Sequence, residues 1–170
     1  MTVRVVFFDL GDTLVEIAPD VLEDSARQIT ILTGHPVSAA DLKKAERTEW
    51  LEWATRPQEL LQVETEEQER RFWEQCFYPS VLKRLGVFFY PPHLVQLLTT
   101  RAMDPESFVL FPEVEEVLNE LERAGVKLGI ISNSFPSAER ILCRLNRHIA
   151  FPTLFSLTRC TRPNPSGELA

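Results

Sequence analysis

Paired cysteines, paired histidines, long apolar runs and an excess of positive charge are all missing from this 170-residue chain. Each absence removes a class of explanation. Cys76, Cys143 and Cys160 are an odd number without paired spacing, so neither a disulfide framework nor a zinc site is supported, and reduced thiols are expected. His35, His93 and His148 are scattered with no partner four residues away, and none reads as a metal ligand. No apolar run approaches membrane-spanning length, and no charged-then-apolar leader opens the chain, so a cytoplasmic protein with no membrane partner is expected. The net charge of -7 argues against a nucleic-acid surface, which needs cations to neutralise phosphates. It leaves open a small anionic substrate held by local donors and a metal. With 44% hydrophobic and 25% charged residues, the composition is that of a globular chain long enough for one domain, or for a small core with an inserted subdomain.

The stretch Val5-Val6-Phe7-Phe8-Asp9-Leu10-Gly11-Asp12-Thr13-Leu14-Val15 organises the chain. Its apolar, β-branched and aromatic run ending in an acid reads as a buried strand with a carboxylate at its C-terminal end, where α/β sheets keep their sites. An acid closing an ordinary strand-to-loop turn would look the same. After Val15 the period becomes helical. Pro19, Val21, Leu22, Ala26, Ile29 and Leu32 give one helical face that stops near Gly34. Ser38 is an N-cap for a helix to Trp53, and Arg56-Pro57 breaks it. A third helix is expected over Glu64 to Leu85, charged on one face and aromatic on the other, and a short one over His93 to Arg101. The aromatics Trp50, Trp53, Phe72, Trp73 and Phe77 suit either a substrate cleft or the subdomain's own core, and burial favours the core. From Phe108 a Pro112-started helix ends at Gly125, and Val126 to Ser134 reads as a second buried strand tipped with Ser132 and Asn133. The helix between two such strands makes parallel pairing the default. A helix from about Ser137 to Leu145 and a short strand near Phe151 to Leu157 complete the reading.

The first stretch resembles the first motif of the haloacid dehalogenase-like hydrolase superfamily, apolar residues leading into Asp-x-Asp-x-Thr. Ser132 and Asn133 resemble its second motif. The resemblance implies an α/β fold: a Rossmann-like, three-layer parallel sheet core over 1–15 and 104–170, and an all-helical cap over 16–103. It implies Asp9 as nucleophile, Thr13 and Ser132 as catalytic hydroxyls, Ser132 and Asn133 as substrate-binding residues, and Mg²⁺ held by Asp9 and the Gly11 carbonyl. Arg162-Pro163-Asn164-Pro165 lies where a third-motif Lys would fall, which makes Arg162 a catalytic candidate. It also reads as a Pro-rich surface tail, and Arg for Lys is not a conservative exchange.

Two departures shape the expected chemistry. Gly11 stands where most phosphatases of the superfamily carry a second Asp, so Asp12 or water would replace the usual proton donor, and a low rate is expected. No fourth-motif acids follow, which implies a diverged, truncated or out-of-frame C-terminus, a weak metal site and an uncovered edge on Val3 to Phe8. Self-association through that strand is expected. The leading expectation is a Mg²⁺-dependent phosphatase of small phosphorylated substrates working through an aspartyl-phosphate. The rivals are a 2-haloacid dehalogenase-type hydrolase, whose members carry an aromatic residue at position 11, and a non-catalytic relative that acts by binding.

Overall fold

Helix boundaries follow the local signals closely. The computed structural model describes residues 4–55, 63–132 and 135–145. Pro19 opens helix α1 (Pro19–Thr33), and Gly34 closes it in the left-handed conformation, giving its N–H to the Thr30 carbonyl at 2.9 Å. Helix α2 (Ala39–Trp53) begins with a reciprocal cap: the Asp41 N–H donates to Ser38 Oγ at 3.1 Å while the Ser38 N–H donates to Asp41 Oδ2 at 3.4 Å. Thr65 and Gln68 repeat the device at the start of α3 (Glu66–Phe72). A proline again opens α5 (Pro92–Met103).

The single long helix expected over Glu64 to Leu85 is corrected by the structure. Between α3 and α4 (Tyr78–Arg84) lies a π-helical turn, Trp73–Phe77, closed by a bond from the Tyr78 N–H to the Trp73 carbonyl. The reason is periodic. Phe72 with Trp73, Phe77 with Tyr78, and Val81 with Leu82 are all buried pairs, but the first two pairs are five residues apart and the last two are four. One widened turn returns all three to the same face. They join Ile29, Leu42, Leu94 and Leu98 in one apolar core. Fully burying each such side chain is worth about 1.5–3 kcal/mol.

Phe72, Trp73 and Phe77 of the aromatic stripe belong to this core, Trp53 packs against it, and Trp50 lies at its exposed edge. Trp50 and Phe77 have ring centroids 4.9 Å apart, as do Trp53 and Phe72, and Phe135 joins Phe72 at 5.0 Å. Phe135 precedes α7 (Ala138–Leu145), whose start is tied down by a buried carboxyl group. Glu69 Oε2 accepts from the Ser137 N–H at 2.8 Å, and Oε1 accepts from Ser137 Oγ at 2.5 Å and Trp73 Nε1 at 3.1 Å. Arg140 donates to the Met103 carbonyl and pairs with Glu66; Arg144 donates to the Phe108 carbonyl and pairs with Glu106. The chain divides by contacts into two compact units. The helical one takes Ile17–Val109 and Phe135–Arg144. It therefore includes a segment that lies beyond the 16–103 read as cap.

The other unit takes the chain up to Glu16 and resumes at Leu110. Strand β1 (Val5–Phe8) pairs in parallel with β4 (Lys127–Ile130), and α6 (Val114–Arg123) packs on β4 as the crossover helix of a β-α-β arrangement. The register pairs Val5 with Lys127 and Phe8 with Ile130. Phe7 faces Gly129, and its ring so fills the space there that a Cβ on Gly129 would lie 2.6 Å from Phe7 Cε1. Among the described residues β1 has no second strand neighbour, and Val5 and Phe7 are 45% and 60% exposed. A second two-stranded sheet joins β2 (Val15–Ile17) and β3 (Phe108–Leu110), so the chain is still a strand where the sequence reading turned to helix. The strand read near Phe151 to Leu157 lies outside the described residues. The architecture is α/β, a parallel sheet with a helical subdomain.

Candidate active site

The pairing of β1 with β4 continues one step past both strands, where the Ile131 N–H donates to the Phe8 carbonyl at 2.9 Å. Asp9 therefore leaves the end of β1 beside the point where Ile131 and Ser132 leave β4, on chains spaced about 4.8 Å apart. The two residues singled out from separate motifs are brought to the same, C-terminal edge of one parallel sheet. Asp9 is exposed and Ser132 is buried. An open carboxylate beside a sheltered hydroxyl is an arrangement in which one group can meet an incoming electrophile and the other can be held in place.

The loop after Asp9 is short and closed on itself. The Leu10 carbonyl accepts from the Leu14 N–H at 2.9 Å and from the Val15 N–H at 3.1 Å, and the Asp12 N–H donates to the Val15 carbonyl at 3.0 Å. Leu10, Leu14 and Val15 are buried and act as its anchors, while Gly11, Asp12 and Thr13 face solvent. Asp12 carries the turn with φ of 54°, the left-handed region that Asp tolerates better than most residues. The loop thus presents the side chains of Asp9, Asp12 and Thr13 and the backbone of Gly11. None of its own hydrogen bonds uses the Gly11 carbonyl.

The donor set fits a hard cation of modest demand. Among the described residues no group of three or more His, Cys, Asp or Glu side chains converges as a metal cage. Mg²⁺ needs no such cage, since it takes one or two carboxylates and keeps its waters. The Asp9 carboxylate and the Gly11 carbonyl, which accepts no backbone hydrogen bond among the described residues, are oxygen donors of that kind. Asn133 and Arg162, the remaining sequence candidates, lie outside the described residues. What the sequence did not signal was the closure of the loop by one carbonyl, because the bond from Val15 back to Leu10 depends on both ends being buried.

A family model for haloacid dehalogenase-like hydrolases matches residues 3–169. The chain belongs to that family of hydrolases. A dehalogenase of known crystal structure is similar in fold, with a TM-score of 0.60 at 19% sequence identity, covering 97% of this chain and 68% of that one. No curated protein sequence matches significantly. The Rossmann-like core and helical subdomain described above are therefore the fold of a haloacid dehalogenase-like hydrolase. Among the described residues no helix is long and apolar enough to cross a membrane.

Proposed function

We propose that the chain is a phosphatase of small phosphorylated molecules, working by nucleophilic attack of Asp9. The observation that carries this reading is the placement of Asp9 and Ser132 at the same edge of adjacent parallel strands in one register. In the first step an Asp9 carboxylate oxygen bonds to phosphorus as the bond to the leaving oxygen breaks, giving an aspartyl-phosphate. Water then attacks phosphorus, releasing inorganic phosphate and restoring the carboxylate. Thr13, Ser132 and Asn133 hold the phosphoryl oxygens, Asp12 or water stands in for the proton donor that Gly11 lacks, and Arg162 adds a cation to the substrate. Asp9 and the Gly11 carbonyl would hold Mg²⁺, which when bound neutralises charge on the transferring group.

The dehalogenase reading shares the nucleophile but not the electrophile, and the neighbouring dehalogenase structure supports only the common fold at 19% identity. The deciding experiment is hydrolysis of p-nitrophenyl phosphate with and without Mg²⁺, beside 2-chloropropionate, using the native chain and Asp9→Asn. Phosphate release that depends on Mg²⁺ and vanishes in Asp9→Asn is the expected result. Activity surviving Asp9→Asn sinks the nucleophile assignment, and chloride release without phosphate release moves the reading to dehalogenation.

A further inference from the structure

Glu69 stands in the charged helix α3 and is nevertheless fully buried, with three donors on its two oxygens: the Ser137 N–H, the Ser137 hydroxyl and the Trp73 indole. Two of the three belong to one residue. A buried carboxyl group is stable only where donors meet it, so Glu69 and Ser137, itself buried, hold each other in place. The chain just before Ser137 is gripped by the same stretch of helix. The Phe135 ring lies 5.0 Å from that of Phe72 and 5.3 Å from that of Trp73, centroid to centroid, and the Phe135 carbonyl accepts from the Ala138 N–H at 3.0 Å. Residues 69 to 73 thus clamp Phe135 and Ser137 together.

What the clamp governs lies upstream. Ser132 leaves β4 beside Asp9, just after the bond from the Ile131 N–H to the Phe8 carbonyl. Only two residues separate it from Phe135, and the division between the two units falls there, between Ser134 and Phe135. With Phe135 and Ser137 held, the chain leaving Ser132 is a tether that spans at most about 3.6 Å per residue and has little slack. Without the clamp the slack extends to Ala138 and the start of α7. Resting on the phosphatase reading, we infer that Glu69 is a positioning residue of the reaction: through Ser137 it shortens the tether and so fixes the place of the Ser132 hydroxyl that holds the phosphoryl group. It acts from the helical unit and by way of the backbone. A donor aimed at charge that develops in the transition state is effective only while its place is fixed, and the supporting residues that fix it share in the rate.

The test is kcat and KM for p-nitrophenyl phosphate in Mg²⁺, measured on chains that circular dichroism shows to be folded. Glu69→Gln should lower kcat by about 10²-fold, the usual effect of a displacement of about 1 Å, with KM little changed. Ser137→Ala keeps the backbone bond to Glu69 and should lower kcat by a smaller factor; it carries the comparison if Glu69→Gln fails to fold. Thr65→Ala removes the N-cap of the same helix without touching the clamp, and should leave kcat as it was. The double variant Ser132→Ala with Glu69→Gln, or with Ser137→Ala, should match Ser132→Ala alone, because residues that act as a unit do not add. An unchanged kcat in the folded clamp variants, an equal fall in Thr65→Ala, or losses that add in the double variant would each overturn the inference while the phosphatase reading stands. A native chain that releases no phosphate from p-nitrophenyl phosphate would overturn both.

Discussion

Removing the carboxyl group of Glu69 should loosen α7 from the helical unit at a cost readable from its three hydrogen bonds. Glu69 is fully buried, and three donors converge on it: the Ser137 N–H, the Ser137 hydroxyl and the Trp73 indole. In Glu69→Ala all three lose their acceptor inside the protein, and each buried donor left unpaired costs about 1–3 kcal/mol. Release of the carboxylate from its buried position offsets part of this. The net falls near the loss seen when one member of a buried charged arrangement is removed, about 3–5 kcal/mol. With a urea slope of about 2 kcal/mol/M, a loss of 3 kcal/mol lowers the unfolding midpoint by about 1.5 M. Glu69→Gln retains one carbonyl acceptor but turns an amide toward a backbone N–H, and about 1–2 kcal/mol is expected. Urea titration followed by circular dichroism gives the midpoints, and amide exchange at Ser137 reports the local release. A midpoint shift under 0.5 M for Glu69→Ala, by the same slope less than about 1 kcal/mol, would refute the idea that this carboxyl group fastens the segment after Ser132.

Three further outcomes are expected. Burial pushes the Glu46 carboxyl up to about 8 from its ordinary 4.5, with Lys43 opposing; the folded chain then holds a proton that the unfolded chain releases, so the stability this group contributes is fully present below about pH 4.5 and is lost as pH rises toward 8. The slope approaches about 1.4 kcal/mol per pH unit, and Glu46→Gln should flatten it in urea titrations run at pH 5, 6.5 and 8. Ser132→Ala should lower kcat for p-nitrophenyl phosphate by about 10²- to 10³-fold, the usual effect of removing one fixed donor to a developing charge, and an unchanged kcat would remove Ser132 from the site. Val5 and Phe7 stand exposed on β1, so light scattering of the native chain should show concentration-dependent association that Phe7→Lys suppresses; a native chain that stays monomeric at high concentration would count against it.

What the sequence determined by itself is what a few neighbouring residues settle through sterics and short hydrogen bonds. Pro19, Gly34, Ser38 with Asp41, and Thr65 with Gln68 set helix ends because each acts within four residues. The run from Val5 to Phe8 specifies a strand, and Asp9 must follow it wherever the strand lies. The order of elements up to Ser132 was enough to suggest the family and the parallel core. Tertiary structure decided the rest, through contacts between residues that have no fixed relation along the chain. The pairing of Phe8 with Ile130, which makes Asp9 and Ser132 neighbours, joins strands more than a hundred residues apart and depends on the crossover helix that packs on β4. The π turn appears because three buried pairs must share one core, a demand that no single turn of helix records. Glu69 looks in sequence like one more acid on a charged face, with Glu66, Glu67 and Arg70 around it. It is buried only because Ser137, 68 residues away, brings the start of another helix to its oxygens, and a buried carboxylate is stable only where donors meet it.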